Sequence, residues 1–200
     1  MLGLPQDPLA AADAIASAIG ARSTQRIALG RTDDGRWWGG VLYAGFDSAV
    51  NERANRMRWP RGPRRYDLAI AVELLRMRSR PFTVILDGHQ LRQTATLVAV
   101  GNGPQYGGGK LITPDACLTD GTFAVTVVGP VSRTTLARMA PTLPRAGHIG
   151  HPAVSTHVAR RVLIEAPDTL AYADGERIGP LPQAVTCVPA AIDVLVPPRE

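Results

Sequence analysis

The sequence predicts a mainly β protein, an antiparallel β-sandwich with a few peripheral helices, on three observations. At least eight short apolar runs suited to strands follow one another with tight turns between them. Asp-Gly pairs at 87–88, 120–121 and 174–175 mark several of those turns; the pair favours hairpins because Gly accepts positive φ and Asp tolerates it. Composition agrees, with 20 Gly, 17 Pro and 5% aromatic residues, while 45% hydrophobic content supplies a core. Few helical segments separate the strands, which argues against a doubly wound parallel sheet.

Residues 8–19 carry Leu9, Ala12, Ile15 and Ile19 at helical spacing, with Asp7 placed to cap the helix and Gly20 to end it. "RIALGR" (26–31), a turn at Asp33-Asp34-Gly35 and "WWGGVLYAGF" (37–46) read as a strand hairpin. Helices are expected over 47–58 and 66–78, parted by "WPRGP" (59–63), where proline forbids helix. In the second of these, Leu68, Val72 and Leu75 form the expected buried stripe and the arginines the outer face. "FTVILDG" and "ATLVAVGN" read as a hairpin around Asp87-Gly88. "FAVTVVGP" (123–130) is the next strand, followed by a short helix capped by Ser132 and bounded by Pro141. "VARRVLIEA" (158–166), "LAYADGE" (170–176), "AVTCV" (184–188) and "AIDVLVP" (191–197) complete the series. No repeat or linker interrupts it, so residues 1–200 are expected to form one domain, with 1–24 a helical lead-in.

Charge is concentrated. Between Arg53 and Arg80, nine arginines face only Asp67 and Glu73, a local excess of seven, so the rest of the chain nets −2 against an overall +5. Such a segment suits an anionic partner, or else a solvated helix face. Nucleic acid is disfavoured, because the arginines lack the interleaved aromatics of a stacking platform. Cys117 and Cys187, 70 positions apart, fit neither metal nor redox spacing and suit a reduced interior, with a single disulfide left open. The N-terminus lacks the basic region of a secretory signal, and no apolar run is long enough for a membrane span. A cytoplasmic location is expected.

Several stretches bear on chemistry. "GNGPQYGGGKL" (101–111) is not a Walker-type phosphate loop, since Pro104 stands where the first glycine belongs and Leu111 replaces the hydroxyl residue. Three consecutive glycines, Gly107, Gly108 and Gly109, still permit close approach by another group, so bend and cleft-lining loop both remain open. "ITPDACLTDGTFAV" (112–125) offers a hard cation the Asp120 carboxylate with the carbonyls of Cys117 and Thr122, a weak set on its own. His148, His151 and His157 have no acidic or cysteine partner at ligand spacing, and Ser155 sits in no nucleophile elbow. Glu176, just past an Asp-Gly turn, reads by itself as a solvated turn residue.

In combination these stretches gain specificity. "GLP" near the start, "YAGFDSAV" (43–50), "GNGPQYGGGKLITPDACLTDG" (101–121), "DGE" (174–176) and the closing "VLVP" stand in the order seen in bacterial diacylglycerol kinases. The chain resembles that lipid kinase family, which includes sphingosine kinases and is distantly related to NAD kinases. The likeness covers only the family's C-terminal β-sandwich domain. It implies ATP-dependent phosphorylation of diacylglycerol or a related lipid, with Glu176 accepting the hydroxyl proton. It also implies magnesium on Asp120 and the carbonyls of Cys117 and Thr122, and a cleft lined by Asn102 and Gly107–Gly109. The family's Gly-Gly-Asp-Gly-Thr nucleotide-binding segment is absent from these 200 residues. The chain is therefore expected to be inactive alone: a truncated reading frame, a degraded gene, or half of a split enzyme with a separate nucleotide-binding chain. A homodimer and a catalytically silent lipid- or partner-binding module are the other readings. Arg53–Arg80 would rest on an anionic membrane surface.

Overall fold

The computed structural model describes residues 2–198. Two six-stranded antiparallel sheets pack face to face. The first has the order β2-β1-β12-β9-β4-β5, from Trp37–Trp38, Thr24–Thr32, Gln183–Leu195, Arg161–Glu165, Arg80–Leu86 and His89–Ala95. The second has the order β11-β10-β3-β6-β7-β8, from Glu176–Pro180, Leu170–Ala173, Val41–Gly45, Leu97–Gly101, Phe123–Val128 and Val154–Ala159. Four helices accompany them: α1 (Pro8–Ala21), α2 (Phe46–Arg56), α3 (Pro63–Arg76) and α4 (Arg133–Met139), the last continuing into a 3-10 turn over Ala140–Arg145. The expected sandwich with peripheral helices is the observed architecture.

The core lies between the sheets. Phe82, Val84, Val162, Ile164 and Val185 of the first sheet meet Leu42, Val98, Val100, Phe123 and Val125 of the second. Each such side chain contributes roughly 1.5–3 kcal/mol when fully buried. The sheets differ in how they read. β4 and β9 alternate buried with half-buried or exposed positions because their outer face meets water. β3, β6 and β7 are buried almost throughout because their outer face is also covered, with Val41, Tyr43, Leu97, Ala99, Val128 and Tyr172 packing beside Ile112 and Met139.

The strand boundaries correct several expectations. "WWGGVLYAGF" is two strands in different sheets: Trp38 pairs with Gly30 of β1, and the chain crosses at Gly39-Gly40 before Val41. The Asp87-Gly88 hairpin joins β4 to β5, not to the apolar run after it. β5, "HQLRQTA", is a largely exposed edge strand and so carries no hydrophobic signal. "VARRVLIEA" likewise divides at Arg160, β8 lying in the second sheet and β9 in the first. "AVTCV" and "AIDVLVP" fuse into the 13-residue β12, which keeps pairing β1 across a register shift.

The helices match in place but not always in face. Asp7 accepts from the Ala10 amide at 2.8 Å as the N-cap of α1, while the helix runs through Gly20 and closes at Arg22, φ 50°. Only Ala18 of α1 is buried. In α3 the buried residue is Ala69, against Val50 and Ala54 of α2, with Ile70 partly buried. The expected stripe fails: Leu68 and Leu75 are exposed and Val72 is only half-buried. The reason is that α3 packs mainly on α2, where Arg53 also pairs with Glu73, and meets α4 only lightly. Both cysteines are free, Cys117 exposed and Cys187 buried. No helix among the described residues is long and apolar enough to cross a membrane.

Candidate functional site

The Asp174-Gly175 turn joining β10 to β11 brings three distant segments together. Both turn residues take positive φ, 50° and 87°, as a two-residue hairpin requires. The Asp174 carboxylate accepts from three successive amides of the sheet-crossing segment: Gly39 at 2.7 Å, Gly40 at 3.0 Å and Val41 at 3.0 Å. Gly40 is needed there, because a Cβ would stand 2.6 Å from the Asp174 oxygen. This clamp fixes the turn, and Glu176 follows as the first residue of β11, paired with Ala173. Its carboxylate is exposed, with no hydrogen bond among the described residues.

Beside the turn lies a cavity of about 890 Å³, near the upper end of the roughly 300–1,000 Å³ typical of ligand pockets. Its floor is the outer face of the second sheet, with Tyr43, Leu97 and Val128. Leu136, Met139 and Leu143 form one wall, and Phe46, Val50 and Ile70 of α2 and α3 the other. Asp47, Tyr106, Lys110, Asp174 and Gly175 supply the polar groups.

Asp47, half-buried at the start of α2, accepts a short hydrogen bond from the Tyr106 hydroxyl. Burial pushes its carboxyl above the ordinary carboxylate value, and the Tyr106 bond and Lys110 pull against that rise. Burial, with Asp47 adding to it, raises the Tyr106 phenol. Tyr43 stands between Tyr106 and Tyr172, with ring centroids 5.5 and 6.3 Å away. Tyr172 donates to Glu52 at 2.5 Å; burial first and then that carboxylate push its phenol up to about 12. The Tyr172 bond, followed by Arg56 and Arg177, lowers Glu52. His148 also lines the cavity: its Nε2 meets the Ile112 carbonyl at 3.2 Å, and burial lowers its pKa against that bond.

The expected site residues divide into three places. Gly107 and Gly108 line the cavity, in a loop that Tyr106 and Lys110 close by exchanging backbone bonds of 3.1 and 3.2 Å. Gly107, Gly108 and Gly109 have φ of 33°, 73° and 78°, which accounts for three glycines in a row. Asn102 is wholly buried and is a strut between the sheets: its Nδ2 donates to the carbonyls of Ala28 at 2.8 Å and Gly39 at 2.9 Å. The turn holding Cys117, Asp120 and Thr122 lines no part of the cavity. There one Asp120 oxygen accepts from the Thr122 amide at 3.1 Å, and the Leu118 carbonyl accepts from Ala28. The other Asp120 oxygen and the carbonyls of Cys117 and Thr122 accept no hydrogen bond among the described residues. These hard oxygen donors fit a divalent cation. The Cys117 thiol is a lesser candidate; its bond with Thr119 lowers its pKa.

Sequence reasoning did not find Tyr106, Tyr172, Glu52 or the clamping role of Asp174, and it gave Asp47 no role. The usable signal was the lone tyrosine between the glycines of "GNGPQYGGGK" and the acidic residue of "AGFDS".

Comparison with known proteins places this arrangement. Diacylglycerol kinase from two strains of Mycobacterium tuberculosis is 44% identical over 201 residues, a match covering 98% of this chain and 64% of the relative. The chain thus spans a little under two thirds of the length of those curated relatives. The crystal structure of a putative diacylglycerol kinase from Bacillus anthracis str. Sterne shares the fold at a TM-score of 0.75 and 19% identity, over 98% of this chain and 63% of that one. An NAD kinase from Archaeoglobus fulgidus, solved in complex with ATP, matches at a TM-score of 0.50 and 9% identity over 92% of this chain and 59% of that one. The model of the YegS C-terminal NAD kinase beta sandwich-like domain matches residues 40–196, which span β3 to β12 with the glycine loop and Asp-Gly-Glu turn, and the chain belongs to that family.

Proposed function

We propose that this chain is the lipid-binding part of an ATP-dependent lipid kinase that phosphorylates the hydroxyl of diacylglycerol or a related lipid. The observation that carries the reading is the apolar 890 Å³ cavity whose polar end meets the turn before Glu176. Apolar chains of the lipid occupy the cavity, and its hydroxyl emerges toward Asp47, Lys110 and the turn. Glu176 takes the hydroxyl proton as the lipid oxygen bonds to the γ-phosphorus and the bond to the ADP oxygen breaks. The proton then passes to water, to which the carboxylate is open. Asp174 is a positioning residue, since its clamp on Gly39–Val41 sets where β11 begins.

Asp120 and the carbonyls of Cys117 and Thr122 would hold magnesium, which would brace their turn and add positive charge there. The nucleotide is expected to rest mainly on a Gly-Gly-Asp-Gly-Thr segment supplied from outside these 200 residues, in one polypeptide or on a separate chain. Little transfer is therefore expected from the 200 residues alone. The working location is the cytoplasmic face of an anionic membrane, with a homodimer compatible with this arrangement. The second reading, a catalytically silent lipid-binding module, is favoured by the exposed Glu176 carboxylate, which no hydrogen bond orients among the described residues.

The test is ATP-dependent phosphorylation of diacylglycerol in mixed micelles, by this chain alone and with the upstream segment restored. Activity after restoration that is lost in Glu176→Gln supports the kinase and its base. Activity of the 200 residues alone refutes the expected division of labour. Lipid binding without activity in either form selects the silent module.

A further inference from the structure

The connection between α2 and α3, Met57–Gly62, carries a combination the cavity does not explain. Trp59 stands at 78% exposure, among the most exposed large apolar side chains of the described residues. Arg58 and Arg61 flank it and Arg64 follows in the first turn of α3; all three are exposed and make no ion pair among the described residues. The connection itself has no carboxylate. Tyr66 and Leu68, each 39% exposed, continue the apolar surface along α3. The same segment is also cavity wall, through Gly62, Pro63, Arg65 and Tyr66.

An indole held in water beside free guanidinium groups is unfavourable for a surface that stays in solution. It suits the headgroup layer of a bilayer, where the ring meets acyl carbon and the N–H meets water. The guanidiniums match anionic lipid phosphates, and the missing carboxylates remove the repulsion such a surface would otherwise meet. A nucleic-acid strand is a poorer occupant, since one isolated indole offers no run of stacking rings.

We propose that the α2–α3 connection is a membrane-docking edge, with Trp59 entering the headgroup layer of an anionic bilayer and Arg58, Arg61 and Arg64 holding its phosphates. Docked so, the cavity wall rests on the bilayer and lipid enters from the membrane without crossing water. This last step rests on the lipid-kinase reading; the docking does not.

The test is co-sedimentation of the 200-residue chain with phosphatidylcholine vesicles, with and without phosphatidylglycerol, at low and high salt. Binding is expected only with phosphatidylglycerol and is weakened by salt. Trp59→Ala lowers partitioning about tenfold, and each of Arg58→Gln, Arg61→Gln and Arg64→Gln about fivefold. Arg92→Gln, the same charge change on the exposed edge strand β5 of the first sheet, leaves binding unchanged. Thermal melting unchanged in each variant confirms that the fold is intact. Absence of salt-sensitive binding overturns the proposal, as does equal loss in Arg92→Gln, or tighter binding to duplex DNA than to the anionic vesicles. Vesicle binding with no kinase activity in micelles sinks the kinase reading and leaves the docking edge standing. Micelle activity in the restored enzyme without vesicle binding sinks the docking edge alone.

Discussion

Replacing Asp174 by alanine removes three hydrogen bonds at once and leaves the amides of Gly39, Gly40 and Val41 without their acceptor. A bond from an amide to a charged group contributes about 1.5–3 kcal/mol when desolvated. Gly39 and Gly40 are within reach of water, so about 1 kcal/mol is the fair figure for each of those, with Val41 nearer the full value. Alanine at φ 50° adds about 1 kcal/mol of backbone strain that aspartate tolerates better. Asp174→Ala should therefore destabilise by about 4.5–6 kcal/mol, a fall in Tm of about 9–24 °C for a chain of this size. Asp174→Asn keeps the turn and one acceptor oxygen, and should lose about half as much. The assay is urea unfolding followed by circular dichroism, with thermal melting beside it. A loss below about 1 kcal/mol for alanine, or equal losses for the two variants, would refute the clamp.

Two further outcomes are expected. Burial holds the Asp47 carboxyl above its ordinary 3.8, so the folded state keeps a proton that the unfolded chain releases; its ionisation costs stability progressively as pH rises from 3.8 through the folded value and in full above that. Asp47→Asn should accordingly raise Tm relative to wild type at neutral pH, with the gap closing below pH 4, and an Asn variant that gains most in acid would contradict the burial account. Magnesium should raise the Tm of the wild-type chain and leave that of Asp120→Ala unmoved; an equal rise in both would remove Asp120 and its neighbours as the cation's ligands.

The sandwich was legible because its signals are local. Asp-Gly turns, the cap at Asp7 and apolar runs each lie within a few residues, and each survives in the fold. Three of the failures share one cause. At Gly39-Gly40, at Thr96 and at Arg160 the chain changes sheets without losing its apolar pattern, since β3 and β6 are buried on both faces. β5 was lost for the opposite reason: an exposed edge strand needs only backbone partners, and "HQLRQT" advertises none. The site divides similarly. Gly107–Gly109 announced themselves because left-handed backbone needs glycine, whereas Asp47 meets Tyr106 across 59 positions and Asp174 meets Gly40 across 134. No window along the chain contains such pairs.

The two sides of the cavity differ in stiffness. Its floor belongs to strands buried above and below, so floor amides open only when the whole body unfolds and exchange with solvent hydrogen most slowly. Its α2–α3 wall has a small buried cluster of its own, Val50, Ala54 and Ala69, and is tied to the sheet by α2, through Glu52 to Tyr172 and Arg177, so its α3 side can lift at a fraction of that free energy. Occupants of different length and unsaturation can then be accommodated by displacing the wall, while Asp174 and the turn it clamps stay where they are.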